Sequence, residues 1–308
     1  MQTIYDMLVI GGGPAGYTAA LYAVRAGLRT LVLEKLCAGG QMALTERVDN
    51  YPAFEQGIDG FTLGEKMRQT AERFGAETIF AEVTALALDG RIKRAESTEG
   101  CFFGRTVVLA TGAALRTLGL PREKELTGHG VHYCAACDGQ RYRGKTAVVI
   151  GGGNSAVTDA LTLSKLCEKV IVVHRRDRLR ADRIYQAALS DAKNTALRCH
   201  AVPTALLGHE RLTGIRLRDV RTDREEDLAC DGVFFRIGST PATQLVQGQL
   251  TLDASGYVIA DETTQTALSG VFAAGDVRTK AVRQIVTAVA DGASAAHYAA
   301  EYLARRLP

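Results

Sequence analysis

An α/β fold made of two strand-turn-helix units, one inserted into the other, is what this sequence predicts, and three observations predict it. An apolar strand runs straight into a glycine-rich turn at residues 11–16, and a helical pattern follows. The same arrangement returns at Gly151, 140 residues after Gly11. Near the end, the run Gly270-Val271-Phe272-Ala273-Ala274 closes on an exposed Gly275-Asp276, before a helical pattern over residues 283–303. That last strand and helix belong by pattern to the first unit, so the second interrupts it.

In chain order, the first strand spans residues 5–10 and leads into Gly11-Gly12-Gly13-Pro14-Ala15-Gly16. A helix is predicted over residues 17–26, then a second apolar strand over 30–33 that ends in Glu34. In this context each glycine has work to do. Gly11 allows the tight turn, Gly13 lets a pyrophosphate approach the backbone, and Gly16 lets helix and strand pack closely, with the helix N-terminus facing the phosphates. Glu34, 23 positions after Gly11, stands where a carboxylate accepts hydrogen bonds from an adenosine ribose. An ordinary glycine turn is the bland alternative, and it leaves the strand, the helix and the acid in register without a reason. Further on, Gly39-Gly40-Gln41 and Asn50-Tyr51-Pro52 are polar loops readable as ligand contacts or as plain turns. A strand over residues 107–110 ends in Thr111-Gly112, where the pattern leaves the first unit.

The second copy starts with a strand over residues 146–150, then Gly151-Gly152-Gly153-Asn154-Ser155-Ala156, a helix over 156–166 and a strand over 170–173. Here the position 23 residues after the first glycine is His174, and it opens the run His174-Arg175-Arg176-Asp177-Arg178-Leu179-Arg180. An acid at this place would repel a 2′-phosphate, whereas arginine forks bind one through charge-assisted hydrogen bonds of roughly 1.5–3 kcal/mol each. The first site is therefore predicted to take an adenosine with a free 2′-hydroxyl and the second to take NADPH. A solvated helix start is the competing reading of the basic run. NAD and FAD both suit the first site, and the closing Gly275-Asp276 separates them: an Asp at a strand end beside a helix N-terminus can bind ribityl hydroxyls. Residues 203–238 alternate short strands with charged turns, and Gly238-Ser239-Thr240-Pro241 marks the return.

Between the two copies lies Cys134-Ala135-Ala136-Cys137-Asp138-Gly139. Two thiols three residues apart can close a small disulfide ring, and the adjacent carboxylate can handle the protons that a dithiol takes up or loses. On the residues alone, a zinc site drawing on His129 and His132, a structural disulfide, and simple packing all stay open. Seven cysteines form an odd, irregular set, which fits a reducing compartment better than a secreted framework. Cys101, Cys167, Cys199 and Cys230 read as small buried hydrophobes; Cys37, in a loop beside Gly39-Gly40, has no account.

Composition narrows the classes. With 46% apolar residues in 308, the chain can bury a large core and divide into two domains. A net charge of +3, scattered in mixed segments, is no nucleic-acid footprint. No apolar run reaches the ~18 residues of a bilayer span, and the N-terminal stretch has no basic region of a signal peptide, so a cytoplasmic protein is expected.

Taken together, GGGPAG, AGGQ, VDNYP, LATGA, CAACDG, GGGNSA, HRRDRLRA and GVFAAGDV with Arg283-Gln284 occur in an order that resembles the low-molecular-weight, bacterial-type thioredoxin reductases, over residues 5–305. The resemblance implies two Rossmann-like, three-layer (ββα) dinucleotide-binding domains, with the NADPH domain inserted into the FAD domain. It implies boundaries at 1–114 and 242–308 for FAD and 115–241 for NADPH and the redox pair. By position, FAD would be held by Gly11, Gly13, Pro14, Ala15, Gly16, Glu34, Lys35, Gly39, Gly40, Gln41, Asn50, Val83, Ala110, Thr111, Gly112, Gly275, Asp276, Arg283, Gln284 and Ile285. NADPH would be held by Gly151, Gly153, Asn154, Ser155, Ala156, His174, Arg175, Arg176 and Arg180. Catalysis is implied for Cys134, which attacks thioredoxin, Cys137, which faces the flavin, and Asp138, the acid-base group. A homodimer and hinges near residues 113–117 and 240–244 are implied as well. One departure is His129, which stands where the family often has an arginine associated with docking thioredoxin. A relative that takes its electrons elsewhere, such as a ferredoxin-linked reductase, is expected to lack the basic run, and a hydroperoxide-reductase type would need an additional N-terminal redox domain. A zinc-holding nucleotide sensor is the rival of another class.

Overall fold

A computed structural model describes residues 3–45 and 47–305. The chain begins with β1 (Ile4–Ile10), α1 (Pro14–Arg25) and β2 (Thr30–Glu34), followed by α2 (Gly60–Arg73) and β3 (Glu77–Phe80). A meander of β4 (Val83–Ala87), β5 (Lys93–Ser97) and β6 (Gly100–Leu109) comes next, and β7 (Ala113–Leu115) leads out. The middle of the chain forms β8 (Val131–His132), α3 (Ala135–Asp138), β9 (Thr146–Ile150), α4 (Asn154–Ser164), β10 (Lys169–Val173) and α5 (Arg183–Asp191). It continues through β11 (Thr195–Arg198), β12 (Ala201–Gly208), β13 (Leu212–Asp219), β14 (Glu225–Ala229) and β15 (Gly232–Phe235). Then β16 (Ser239–Pro241) leads back to β17 (Val271–Ala273) and α6 (Ile285–Ala304).

Two compact units result, one comprising the chain up to Ala114 and from Thr240 onward, the other Leu115–Ser239. The return thus falls two residues before the expected 241/242 boundary. Both passages lie in β7 and β16, which pair as a two-stranded ribbon.

In the first unit the strands run in the order β3-β2-β1-β6, all parallel. The long β6 serves two partners. Its early residues pair antiparallel with β5, and Val107, Val108 and Leu109 pair parallel with β17. Alternation along β1 divides the core: Met7 and Val9 pack with α1 and α6, while Leu8 and Ile10 pack with the meander. This is a helix layer, a parallel sheet and a β-layer. α1 and α6 touch closely because α6 carries Gly292, where a methyl would lie 2.3 Å from the Ala15 carbonyl oxygen.

The second unit repeats that plan with a parallel sheet, β11-β10-β9-β15-β8. Ala147 and Val149 of β9 pack with α4, while Val148 and Ile150 pack with the antiparallel trio β12-β13-β14.

Five local expectations are corrected. α1 starts at Pro14, not residue 17, because Gly13 is the N-cap and proline is pre-set for the first helical position. α4 likewise starts at Asn154 rather than 156 and stops at Ser164. α6 starts at Ile285, where Gln284 and Thr287 form a capping box. The pair Gly275-Asp276 is not exposed: Gly275 is buried and Asp276 half-buried, in a short 3₁₀ turn. Cys167 and Cys230 are buried, but Cys101 is exposed and Cys199 half-buried, so the small-hydrophobe reading fails for these two.

Candidate active site

The first glycine turn is closed by backbone. At Gly11, whose φ is +105°, a methyl would stand 2.5 Å from the Ala110 carbonyl oxygen; at Gly16 it would stand 1.9 Å from that of Gly11. Side chains are excluded there. Gly13, in contrast, has nothing within 4 Å of its methyl position, which leaves room for a ligand at the N-terminus of α1. Glu34 is buried and accepts from Gly12 N at 2.6 Å and Leu36 N at 3.0 Å, so its carboxylate is fixed with acceptor capacity to spare. Gly39 donates its N–H to the Gly12 carbonyl, and Gly40 lies against Gly13, so the second loop lines the first.

Gly275 sits against Ala15, with a methyl position 3.0 Å from the Ala15 Cβ. Asp276 follows it, and its Oδ1 is buried with no hydrogen-bond partner among the described residues. Burial pushes this carboxyl up, against the pull of Lys280 and Arg283. Buried acceptors of this kind are costly, and a hydroxyl-bearing chain such as ribityl satisfies one. That orphaned atom, with the glycine cradle and Glu34, fits FAD. A network that sequence reasoning missed holds the corner. Asp291 on α6 accepts from Gly275 N at 2.8 Å, from Arg278 Nε and Nη2 at 3.0 and 2.8 Å, and from Lys280 Nζ at 2.8 Å. Burial alone would raise the Asp291 carboxyl, but the Arg278 and Lys280 bonds hold it below the usual range. The available signal was an acid on the Ala288, Gly292, Ala295 stripe of an alanine-rich helix.

Among the other expected FAD residues, Asn50 Nδ2 donates to Gln284 Oε1 at 3.1 Å, which joins two distant loops. Gln41 donates to the Ala113 carbonyl, Thr111 Oγ1 to that of Ala242, and the Gly112 carbonyl accepts from Ala242 N. Arg283 lies over the Tyr257 ring at 4.0 Å, and Ile285 packs against Met42, Val48 and Leu63. Two residues are engaged elsewhere. Lys35 pairs with Glu82 at 2.7 Å on the surface, and Val83 packs against the meander-side core.

The second turn has the same logic with different contents. At Gly151 a methyl would stand 2.5 Å from the Arg236 carbonyl oxygen, while Gly153 again opens on free space at the N-terminus of α4. Asn154 and Asp182 exchange two hydrogen bonds, and Ser155 and Ala156 form the first helical turn. The basic run is not a helix start, since α5 begins only at Arg183. It is a loop folded over the turn: Arg180 N donates to the Gly152 carbonyl at 2.6 Å, and the His174 ring occupies the space a Gly152 side chain would need. Burial, then Arg180, Arg176 and Arg175, lower the His174 pKa, so the ring is neutral at pH 7. The guanidiniums of Arg175, Arg176 and Arg180 pair with no carboxylate among the described residues, while Arg178 is spent on Asp177. Three unspent cations beside an open phosphate turn fit a 2′-phosphate.

Cys134 and Cys137 are joined as a disulfide, with Cα atoms 5.3 Å apart across α3. Their sulfurs are bonded to each other, which removes both thiolates from a zinc set, and among the described residues no metal-holding group of His, Cys, Asp or Glu occurs. Two residues that sequence reasoning missed hold the flanks of Cys134. Asp159 of α4 accepts from Ala135 N at 3.0 Å and stands 3.0 Å from Arg236 Nε, while Arg236 Nη1 donates to the Tyr133 carbonyl. Burial pushes the Asp159 carboxyl up, against Arg236 and the Ala135 N–H. Asp138 closes α3 with its Oδ2 3.2 Å from His132 Nδ1. Cys37 is half-buried and nothing described explains it.

The profile of the pyridine nucleotide-disulphide oxidoreductases matches residues 5–292 of this chain. A thioredoxin reductase of Treponema pallidum is 42% identical over 303 residues, 98% of each chain. One from Mycolicibacterium smegmatis is 44% identical over 307 residues, 99% of this chain and 98% of that one. Among solved structures, the thioredoxin reductase of Streptococcus pyogenes superimposes with a TM-score of 0.92 at 39% identity, covering 99% of this chain and 100% of the other. No helix among the described residues is long and apolar enough to cross a membrane.

Proposed function

The chain belongs to the pyridine nucleotide-disulphide oxidoreductases, and within that family we infer an NADPH-dependent flavoprotein thioredoxin reductase. The observation that carries the reading is the Cys134–Cys137 disulfide on α3, in the same unit as a dinucleotide turn with three unspent arginines. When bound, NADPH and FAD supply a hydride and then an electron pair. The chain's own residues do the rest. The first turn, Glu34 and Asp276 bind and orient FAD, while Arg175, Arg176 and Arg180 select the phosphorylated nucleotide.

Two electrons and two protons convert the Cys134–Cys137 bond into two thiols. Asp138 gives or takes one of these protons. The Cys134 thiolate then attacks one sulfur of oxidised thioredoxin, forming a mixed disulfide and releasing one thioredoxin thiol. Attack by the Cys137 thiolate on the Cys134 sulfur restores the ring and releases the second. Asp159 and Arg236, holding the peptides on both sides of Cys134, keep α3 in place through the cycle. The odd cysteine set supports a reducing, cytoplasmic setting, and the family resemblance supports a homodimer, which sedimentation would test.

The deciding experiment is an anaerobic titration. The yellow protein should bleach with stoichiometric NADPH and regain colour on adding oxidised thioredoxin. A colourless protein that cannot be loaded with FAD, or a bleached one that ignores thioredoxin, overturns the reading.

A further inference from the structure

We propose that His132, fixed by Tyr142, is the positioning residue that sets the orientation of Asp138. This rests on the reading of Asp138 as the proton-transfer group of the cysteine pair. His132 ends β8 with its side chain 2% exposed, and its ring stacks on Phe234 at 5.3 Å. Both ring nitrogens have a facing group. Nε2 lies 2.6 Å from the Tyr142 hydroxyl, and Nδ1 lies 3.2 Å from Asp138 Oδ2, whose side chain is 18% exposed.

The direction of these contacts follows from chemistry. Burial pushes the Tyr142 phenol up to about 12, so it keeps its proton at neutral pH. A carboxylate facing Nδ1 calls for the ring proton on that side, and the phenol then donates to Nε2. A ring N–H on the side of a carboxylate attracts it, so the tautomer supported by Tyr142 favours the Asp138 orientation seen here. The other charges that act on Tyr142 are Arg211 from the turn before β13, Arg141 after α3, and Asp231 before β15, with Lys145 Nζ over its ring at 5.9 Å.

No proton leaves His132 in this scheme. When the disulfide accepts two electrons, protonated Asp138 delivers one proton to a sulfur and solvent delivers the other. The carboxylate so formed is stabilised by the Nδ1–H, and it is ready to take a proton from the Cys134 thiol before attack. Sequence spacing offered His132 only as a zinc ligand; the fold turns the ring toward an acid instead.

Three variants of the full-length, FAD-loaded enzyme test the proposal. His132→Phe keeps a stacked ring without an N–H, His132→Asn returns an amide N–H near the Nδ1 place, and Tyr142→Phe removes only the hydroxyl. Two rates are read at neutral pH: transfer from pre-reduced enzyme to oxidised thioredoxin, and bleaching of the flavin by NADPH. His132→Phe should slow thiol transfer about 10-fold. His132→Asn should recover most of that loss, and Tyr142→Phe should slow transfer the same way by less. Bleaching should stay within about 2-fold throughout. Unchanged transfer in His132→Phe, no recovery in His132→Asn, or an equal loss in both rates overturns the positioning role. If His132→Phe does not fold, the transfer rate of Tyr142→Phe decides alone, an unchanged rate again overturning the role. Asp138→Asn separates the two levels: wild-type thiol transfer there sinks the reading of Asp138 itself, whereas impaired transfer beside a normal His132→Phe sinks only this proposal.

Discussion

The two glycine turns share a backbone and differ in what surrounds it. In the first, the position 23 residues on is Glu34, buried and bonded to Gly12 N; in the second it is His174, whose ring packs on Gly152 and whose neighbours are three arginines unpaired among the described residues. The third small residue differs too. Gly16 lies so close to the Gly11 carbonyl that no side chain fits, whereas Ala156 occupies the corresponding place with its methyl buried. The lesson is that one turn backbone accepts opposite surroundings, and the residue at the end of the second strand is where the two part, an acid in one and a ring beside basic neighbours in the other.

The units also anchor their reactive corners with buried helix acids of opposite character. Asp291 is held low by Arg278 and Lys280 against its burial, while Asp159 is raised by burial that Arg236 only partly offsets. For Asp291, a lowered folded value means that its stabilisation is present above the unfolded carboxylate pKa and is lost as pH falls through the folded one. For Asp159, a raised folded value means the opposite: its contribution is greatest below the unfolded pKa and is lost as pH rises through the folded one.

The largest effect that would sharpen this contrast is expected from Asp291→Asn. It leaves Arg278, itself 2% exposed, with only the exposed Glu262 carboxylate at 3.6 Å, and urea unfolding should show a loss of about 3 kcal/mol at pH 7 that shrinks below pH 4. A loss that grows on acidification would break the sign assigned to it. Gly16→Ala comes next: the new methyl has no room, and about 1–3 kcal/mol of stability should go together with most flavin retention on gel filtration. Replacing Arg175, Arg176 and Arg180 by alanine should remove a preference for NADPH over NADH of at least about 30-fold in kcat/KM, while NADH rates barely change. Equal use of both nucleotides by the unaltered enzyme would erase the distinction between the turns. The smallest effect belongs to Ala156→Gly, which should cost at most about 1 kcal/mol in thermal unfolding and leave NADPH use intact.

Much of this was legible before any fold was known. The glycine turns, the acid or histidine 23 residues on, and the cysteine pair are short-range patterns whose geometry follows from a strand, a turn and a helix in series. Boundaries were less so. Pro14, Asn154 and the Gln284–Thr287 box start helices where apolar periodicity had not yet begun, and capping chemistry decided the start.

Residues that hold the site in place were beyond reach, because their partners are far away in the chain. Asp159 and Ala135 are 24 residues apart, Asn50 and Gln284 are 234 apart, and neither link has a local signature. The sequence by itself determined the local patterns: two glycine turns after apolar strands, an acid in register with one and a basic run with the other, and a cysteine pair beside an acid. Only the tertiary structure decided that Asp291 braces the Gly275 corner and Asp159 the cysteine pair, that Asp276 presents an oxygen unpartnered among the described residues, and that His132 turns to Asp138. A side chain's charge and hydrogen bonds depend on what packing brings within about 3 Å of it, and composition along the chain does not encode that distance.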